Sequence, residues 1–181
     1  MMAYFKNIIA NFIVNRKLKH KQDEKQSFSN LLKKSFTFLV IMPENENDFQ
    51  RSFEVLKFLS DEEKHITIFS YDFRRNLINQ KYRPATIEYG LTDVTKLNLP
   101  SQSLVKILGS KKFNAIIDLN RKDNLFCSYA ANLVQSQLRI GFSKTNSDKY
   151  YNIQIADVED NPEISYENFL NCLKMFSGLT Q

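Results

Sequence analysis

Glycine is scarce in this chain. The 181 residues contain four, Gly90, Gly109, Gly141 and Gly178, and no two lie close enough to build GxGxxG or a P-loop. Those loops need glycine so that backbone N–H groups can reach a phosphate, so an autonomous dinucleotide-binding dehydrogenase or a P-loop NTPase is excluded. Cysteine is almost as rare. Cys127 and Cys172 fall in predicted helices without CxxC spacing, which reads as two reduced thiols in a cytoplasmic protein and not as a disulfide framework. The two histidines, His20 and His65, stand in unrelated places. Neither a zinc site nor a Ser-His-Asp triad can be assembled from them, and no metal or cofactor is expected. What the chain does have is apolar mass: 43% hydrophobic residues, with 15 Phe and 8 Tyr. That is enough for a packed core in one domain.

Charge is unevenly placed. Residues 1–35 carry eight Lys/Arg against Asp23 and Glu24, a net of +6, whereas the other 146 residues balance to −1. The first residues, MMAYFKNIIANFIVNRKLKHKQ, put Phe5, Ile8, Ile9, Phe12 and Ile13 at helical spacing, with Lys6, Asn7, Asn11 and Asn15 on the other face. Arg16, Lys17, Lys19 and Lys21 come next. This predicts a basic amphipathic helix in an arm over residues 1–34, too short and too broken by Asn to span a bilayer. It also lacks the charge order and the cleavage site of a signal peptide. These nine apolar and basic residues are the expected contacts to an anionic membrane surface or a protein partner. Nucleic acid is disfavoured, because the aromatics sit on the apolar face and are not interleaved with Arg.

From Ser35 onward, strand and helix patterns alternate. Residues 36–42 (FTFLVIM) read as an apolar strand closed by Pro43. A helix is predicted from Asp48, with Phe49, Phe53, Leu56 and Leu59 on one face and Asn47 or Asp48 as N-cap. Residues 65–70 form a second strand, 72–80 a short helix, 85–89 a third strand, and 101–108 a helix after Pro100. The strongest signal is residues 113–142, FNAIIDLNRKDNLFCSYAANLVQSQLRIGF. Its apolar run around Ile116 and Ile117 marks a strand covered on both faces, and Asp118 ends it. A helix over 124–135 and a strand over 137–141 complete the block. Residues 150–155 give a last strand, and Tyr166, Phe169, Leu170, Leu173 and Phe176 a terminal helix. Such alternation implies parallel pairing with right-handed crossovers. The expected fold over residues 35–181 is a Rossmann-like three-layer α/β domain with a mainly parallel sheet. Leu39, Ile41, Ile116 and Ile117 should be nearly fully buried. Ligands of such sheets sit at the carboxyl ends of the strands, which makes Asp118, Arg121 and Lys122 candidate ligand-facing residues.

The pieces FLVIM, PENENDFQRSFEVLKFL, FNAIIDLN and LRIGF, in that order, resemble the N-terminal, acceptor-side half of glycosyltransferase family 9, the heptosyltransferase-type enzymes. The resemblance covers roughly residues 36–176, and IIDLN and RIGF are its most specific parts. Short Bacteroidetes-type proteins of unknown function with a basic arm and a closing GF look similar too. The resemblance places Asn47 and Asp48 where the family has Gly-Asp, and implies that Asp48 is the candidate general base beside an acceptor hydroxyl. Here Gly is replaced by Asn, and the family's helix Pro by Glu54. The family's donor-binding half has no counterpart in these residues. The resemblance therefore implies a non-catalytic binding or scaffold module for a glycan, lipid headgroup or protein, cytoplasmic or peripheral on the inner face of the membrane. The alternatives are the acceptor-binding component of a split glycosyltransferase, and a nucleic-acid or ribosome-associated protein using the arm.

Overall fold

The computed structural model of the protein describes residues 2–18, 31–158 and 161–178. These form a six-stranded sheet from β1 (Thr37–Ile41), β2 (His65–Tyr71), β3 (Thr86–Tyr89), β4 (Ala115–Asp118), β5 (Leu138–Phe142) and β6 (Ile153–Ile155). The strand order is β3-β2-β1-β4-β5-β6 and every pairing is parallel. The chain winds outward from β1 to one edge, then returns to β4 and winds to the other. The order therefore reverses between β1 and β4, the arrangement of a Rossmann-like fold. Helices α1 (Met2–Leu18), α2 (Leu31–Lys34), α3 (Glu46–Asp61), α4 (Gln102–Gly109), α5 (Leu125–Leu133) and α6 (Pro162–Ser177) cover the sheet.

Side-chain alternation along the strands makes two cores. Phe38, Val40 and Ile117 face α3 and α6, packing with Phe49, Leu56, Tyr166 and Phe169. Leu39, Ile41 and Ile116 face the other way, toward Leu104 of α4 and Cys127, Ala130 and Ala131 of α5. Leu39, Ile41, Ile116 and Ile117 are buried as predicted. An apolar run buried on both faces is what a central parallel strand requires.

Three sequence readings are corrected. Helix α3 starts two residues early: Asn45 is the N-cap, and its side chain accepts from the Asp48 backbone N–H. With Asn45 as cap, Asn47 and Asp48 fall inside the first turn of α3. The short helix expected over residues 72–80 is a 3₁₀ helix limited to Asp72–Leu77. The last strand is limited to Ile153–Ile155, because Tyr150 and Tyr151 fold back onto the face held by α5.

The expected N-terminal helix is present, and it is held to the domain by residues other than the large apolar ones read from the sequence. Ala10 and Val14 are fully buried against the α5 side of the sheet, with Ile13 and Leu18 partly covered. Ile8, Ile9 and Phe12 are 48%, 49% and 67% exposed. Small Ala10 lets α1 approach the domain closely, and the larger apolar residues turn outward. Phe5 lies within α1, while Lys19 and Lys21 lie outside the described residues.

Candidate functional site

The loops that leave the carboxyl ends of the strands, together with α1, enclose a cleft of about 800 Å³. This is within the size range of small-molecule sites, and at the position where open α/β sheets bind ligands. Asn7 and Asn11 of α1 form one wall. Glu44, from the β1–α3 loop, and Tyr71, Phe73 and Arg74, after β2, form another. Asp123, Asn124 and Phe126 come from the start of α5, Asn146 and Tyr150 from the segment after β5, and Leu91 and Asn98 from the segment after β3. The lining is thus rich in side-chain amides and aromatic rings.

Aromatic stacking holds the apolar wall rigid. Tyr89 stacks on Phe69 and tilts against Phe126, with ring centroids 4.7 Å apart in each case, and Tyr71 packs on Tyr89 and Phe73 at 4.9 Å. The β1–α3 loop is pinned at Glu44 by three neighbours. Its carboxyl accepts from Tyr89 Oη at 3.2 Å, its N–H donates to Asn120 Oδ1 at 3.3 Å, and its carbonyl accepts from Arg74 Nη2 at 2.6 Å. Arg74 is buried between the Phe49 and Phe73 rings and pairs through Nη1 with Glu46 at 2.8 Å. Its Nε is buried and has no hydrogen-bond partner among the described residues.

Beneath the cleft lies a second polar cluster, centred on Asp118. The β4 alternation that sends Ile117 toward α3 sends Asp118 toward α5, where it is fully buried. One carboxyl oxygen accepts from the Asn120 backbone and side chain at 3.0 and 2.7 Å. The other accepts from Tyr151 Oη and lies 3.5 Å from Lys144 Nζ. Tyr151 Oη also meets Ser128 Oγ at 2.8 Å, and Lys144 Nζ donates to the Asn120 carbonyl at 2.8 Å. Burial, and then the adjacent Asp118, push the Tyr151 phenol well above its ordinary pKa, so it stays a donor. Gly141 of β5 is the register partner of Asp118. A Cβ built on it would stand 3.1 Å from three atoms of the Tyr151 ring. The glycine of RIGF therefore gives Tyr151 room to lie across β5 and reach Asp118; any side chain there would press the ring back by a few tenths of an ångström.

On the other face, Asp48 and Arg121 meet. Arg121 donates from Nη1 to Asp48 Oδ1 at 3.2 Å, from Nε to Asp157 Oδ1 at 2.7 Å, and from Nη2 to the Val158 carbonyl at 3.1 Å. Both Asp48 and Arg121 are deeply buried, at 4% and 5% relative exposure. Burial pushes the Asp48 carboxyl up, and the facing Arg121 charge opposes it. For Arg121, burial works against the charge, but the bonds to Asp157 and Asp48 prevail and raise its pKa. This cluster ties together the segments after β1, β4 and β6.

The sequence-predicted residues therefore separate. Asp48 and Arg121 are brought together in a buried pair, Asp118 is sequestered under α5, and Asn47 and Lys122 are exposed. None of the five lines the cleft. The residues that do line it carry no sequence motif. Asn7 and Asn11 share the polar face of α1 read from the sequence, but Asn98, Asn124 and Asn146 stand in unrelated segments, and only the fold brings them to that face. No cluster of potential metal ligands occurs among the described residues, and no described helix is long and apolar enough to cross a membrane.

A family model described as a family of unknown function (DUF6913) matches residues 6–176. The match carries no link to glycosyltransferases. No curated protein matches detectably, and no solved structure does.

Proposed function

The chain belongs to the DUF6913 family, and we propose that it is a binding module whose cleft holds a small, hydroxyl-rich ligand of glycan type. The observation that carries this reading is the composition of the cleft wall. Asn7, Asn11, Asn98, Asn124 and Asn146 converge on one space with Tyr71, Phe73, Phe126 and Tyr150. A side-chain amide offers both donors and an acceptor, which matches a hydroxyl that does both. Asn11 Nδ2 already donates to the Asn7 carbonyl and Asn124 Oδ1 accepts from the Cys127 N–H, which leaves the Asn11 oxygen and the Asn124 amino group to face a ligand. Aromatic faces suit the C–H faces of a sugar ring.

A nucleotide diphosphate suits the site poorly. A Rossmann domain that binds dinucleotides sets the pyrophosphate at the N-terminus of the helix after its first strand, over glycine backbone. Here that turn is Met42-Pro43-Glu44-Asn45, and Glu46 and Asp48 occupy the first turn of α3. Glu44, Glu46 and Asp48 stand where a phosphate would need donors, and the nearby guanidinium groups of Arg74 and Arg121 are already spent on Glu46 and Asp48. Asp48 is also committed to Arg121, which counts against its use as a free general base. Saturation-transfer NMR with neutral hexoses, N-acetylhexosamines and heptoses tests the proposal. At least one class should bind with Kd near or below about 1 mM, and Asn11→Ala or Phe73→Ala, both at exposed positions, should weaken it. Absence of binding across the panel would contradict the reading.

A further inference from the structure

We infer that the outward face of α1 docks on an anionic membrane surface. The face is apolar and uncovered: Ile8, Ile9 and Phe12 are each about half or more exposed. It is not spare core, because Ala10 and Val14 on the opposite side already hold α1 to the domain. The charge pattern selects the occupant. Residues 1–22 contain no acidic residue; Lys6 and Arg16 are exposed on α1, Lys17 reaches back over the Tyr129 ring at 5.8 Å, and Lys19 and Lys21 come just after the helix in sequence. The rest of the chain is nearly neutral, so the attraction is confined to this helix and the basic residues at its end. Partly exposed apolar residues beside a basic cluster fit an interfacial helix, with the rings and branched chains in the headgroup boundary and the cations against anionic lipid. Asn7 and Asn11 of the same helix face the cleft, so docking would set the cleft beside the headgroups. The inference does not depend on what the cleft holds.

The test is co-sedimentation of the full chain with phosphatidylcholine vesicles containing or lacking phosphatidylglycerol, at low and high salt. Only the anionic vesicles should carry the protein down, and salt should release it. Ile9→Asp with Phe12→Asp should lower partitioning by roughly a hundredfold. The melting temperature should be unchanged, since both positions are exposed. Arg16→Gln, Lys19→Gln and Lys21→Gln together should lower partitioning and flatten its salt dependence. Failure to bind anionic vesicles would overturn the inference, as would undiminished binding by the Asp variant. A dimer or an RNA complex that the same substitutions abolish, with no vesicle binding, would overturn it too.

Discussion

Replacing Gly141 with Ala probes the link between the most recognisable sequence motif and the structure beneath the cleft. The new methyl would stand 3.1 Å from three ring atoms of Tyr151, tighter than ordinary carbon–carbon contact. The ring cannot simply retreat, because Tyr151 is buried and its hydroxyl is shared between Asp118 and Ser128. Overpacking of this kind costs about 1–3 kcal/mol. Stretching a hydrogen bond to a buried carboxyl adds about 1.5–3 kcal/mol when it is lost outright. The two overlap, so a total of about 2–4 kcal/mol is expected. Tyr151→Phe keeps the ring and removes only the bond, and should cost about 1.5–3 kcal/mol. If Gly141 acts through that bond, the double variant will cost less than the sum of the two. The chain has no Trp, so urea unfolding followed by circular dichroism is the assay. A cost for Gly141→Ala below about 0.5 kcal/mol, or strict additivity with Tyr151→Phe, would refute the argument.

Other expectations rest on the same geometry. Arg121→Ala leaves Asp48 and Asp157 facing each other without their shared cation, and should destabilise by about 3–5 kcal/mol in chemical denaturation. Arg121→Lys should rescue only part of this, because an ammonium cannot span the three acceptors that the guanidinium fork reaches. Cys127 is buried, and burial pushes its thiol well above the ordinary pKa, so in the native protein alkylation counted by mass spectrometry should modify Cys172 and spare Cys127 until denaturant is added. Calorimetry with a uridine or guanosine diphosphate should give Kd weaker than about 1 mM. Micromolar affinity would show that the acidic turn at Glu44 and Glu46 does not exclude phosphate.

Much of the fold was legible because its signals are local. Residues 36–42, 65–70 and 113–119 are apolar runs of strand length between polar turns, and each coincides with a strand. The side of α1 that packs on the domain was not legible, because periodicity ranks residues by hydrophobicity, whereas docking against α5 selects for the small Ala10 and the compact Val14. Asp118 was correctly placed at a strand end, but its direction depends on pleat parity against α5, which the terminal residue alone does not reveal. The partners of Asp118 are farther off: Tyr151 is 33 residues away and joins no motif. One signal could have found it. A glycine inside a predicted strand, as in RIGF, marks a close approach by another group. The cleft itself had only a partial sequence signature: Asn7 and Asn11 share the polar face of α1, while Asn98, Asn124 and Asn146 lie in separate segments that only the crossover topology gathers.

The central claim is that the cleft, and not the buried Asp48–Arg121 pair, receives the ligand. The direct measurement is chemical-shift mapping of the isotopically labelled protein as a neutral sugar selected by the NMR screen is titrated. The side-chain amide resonances of Asn7, Asn11, Asn98, Asn124 and Asn146 should move together along one saturation curve. Shifts concentrated around Asp48, Arg121 and Asp157, or a titration that leaves those five amides in place, would contradict it.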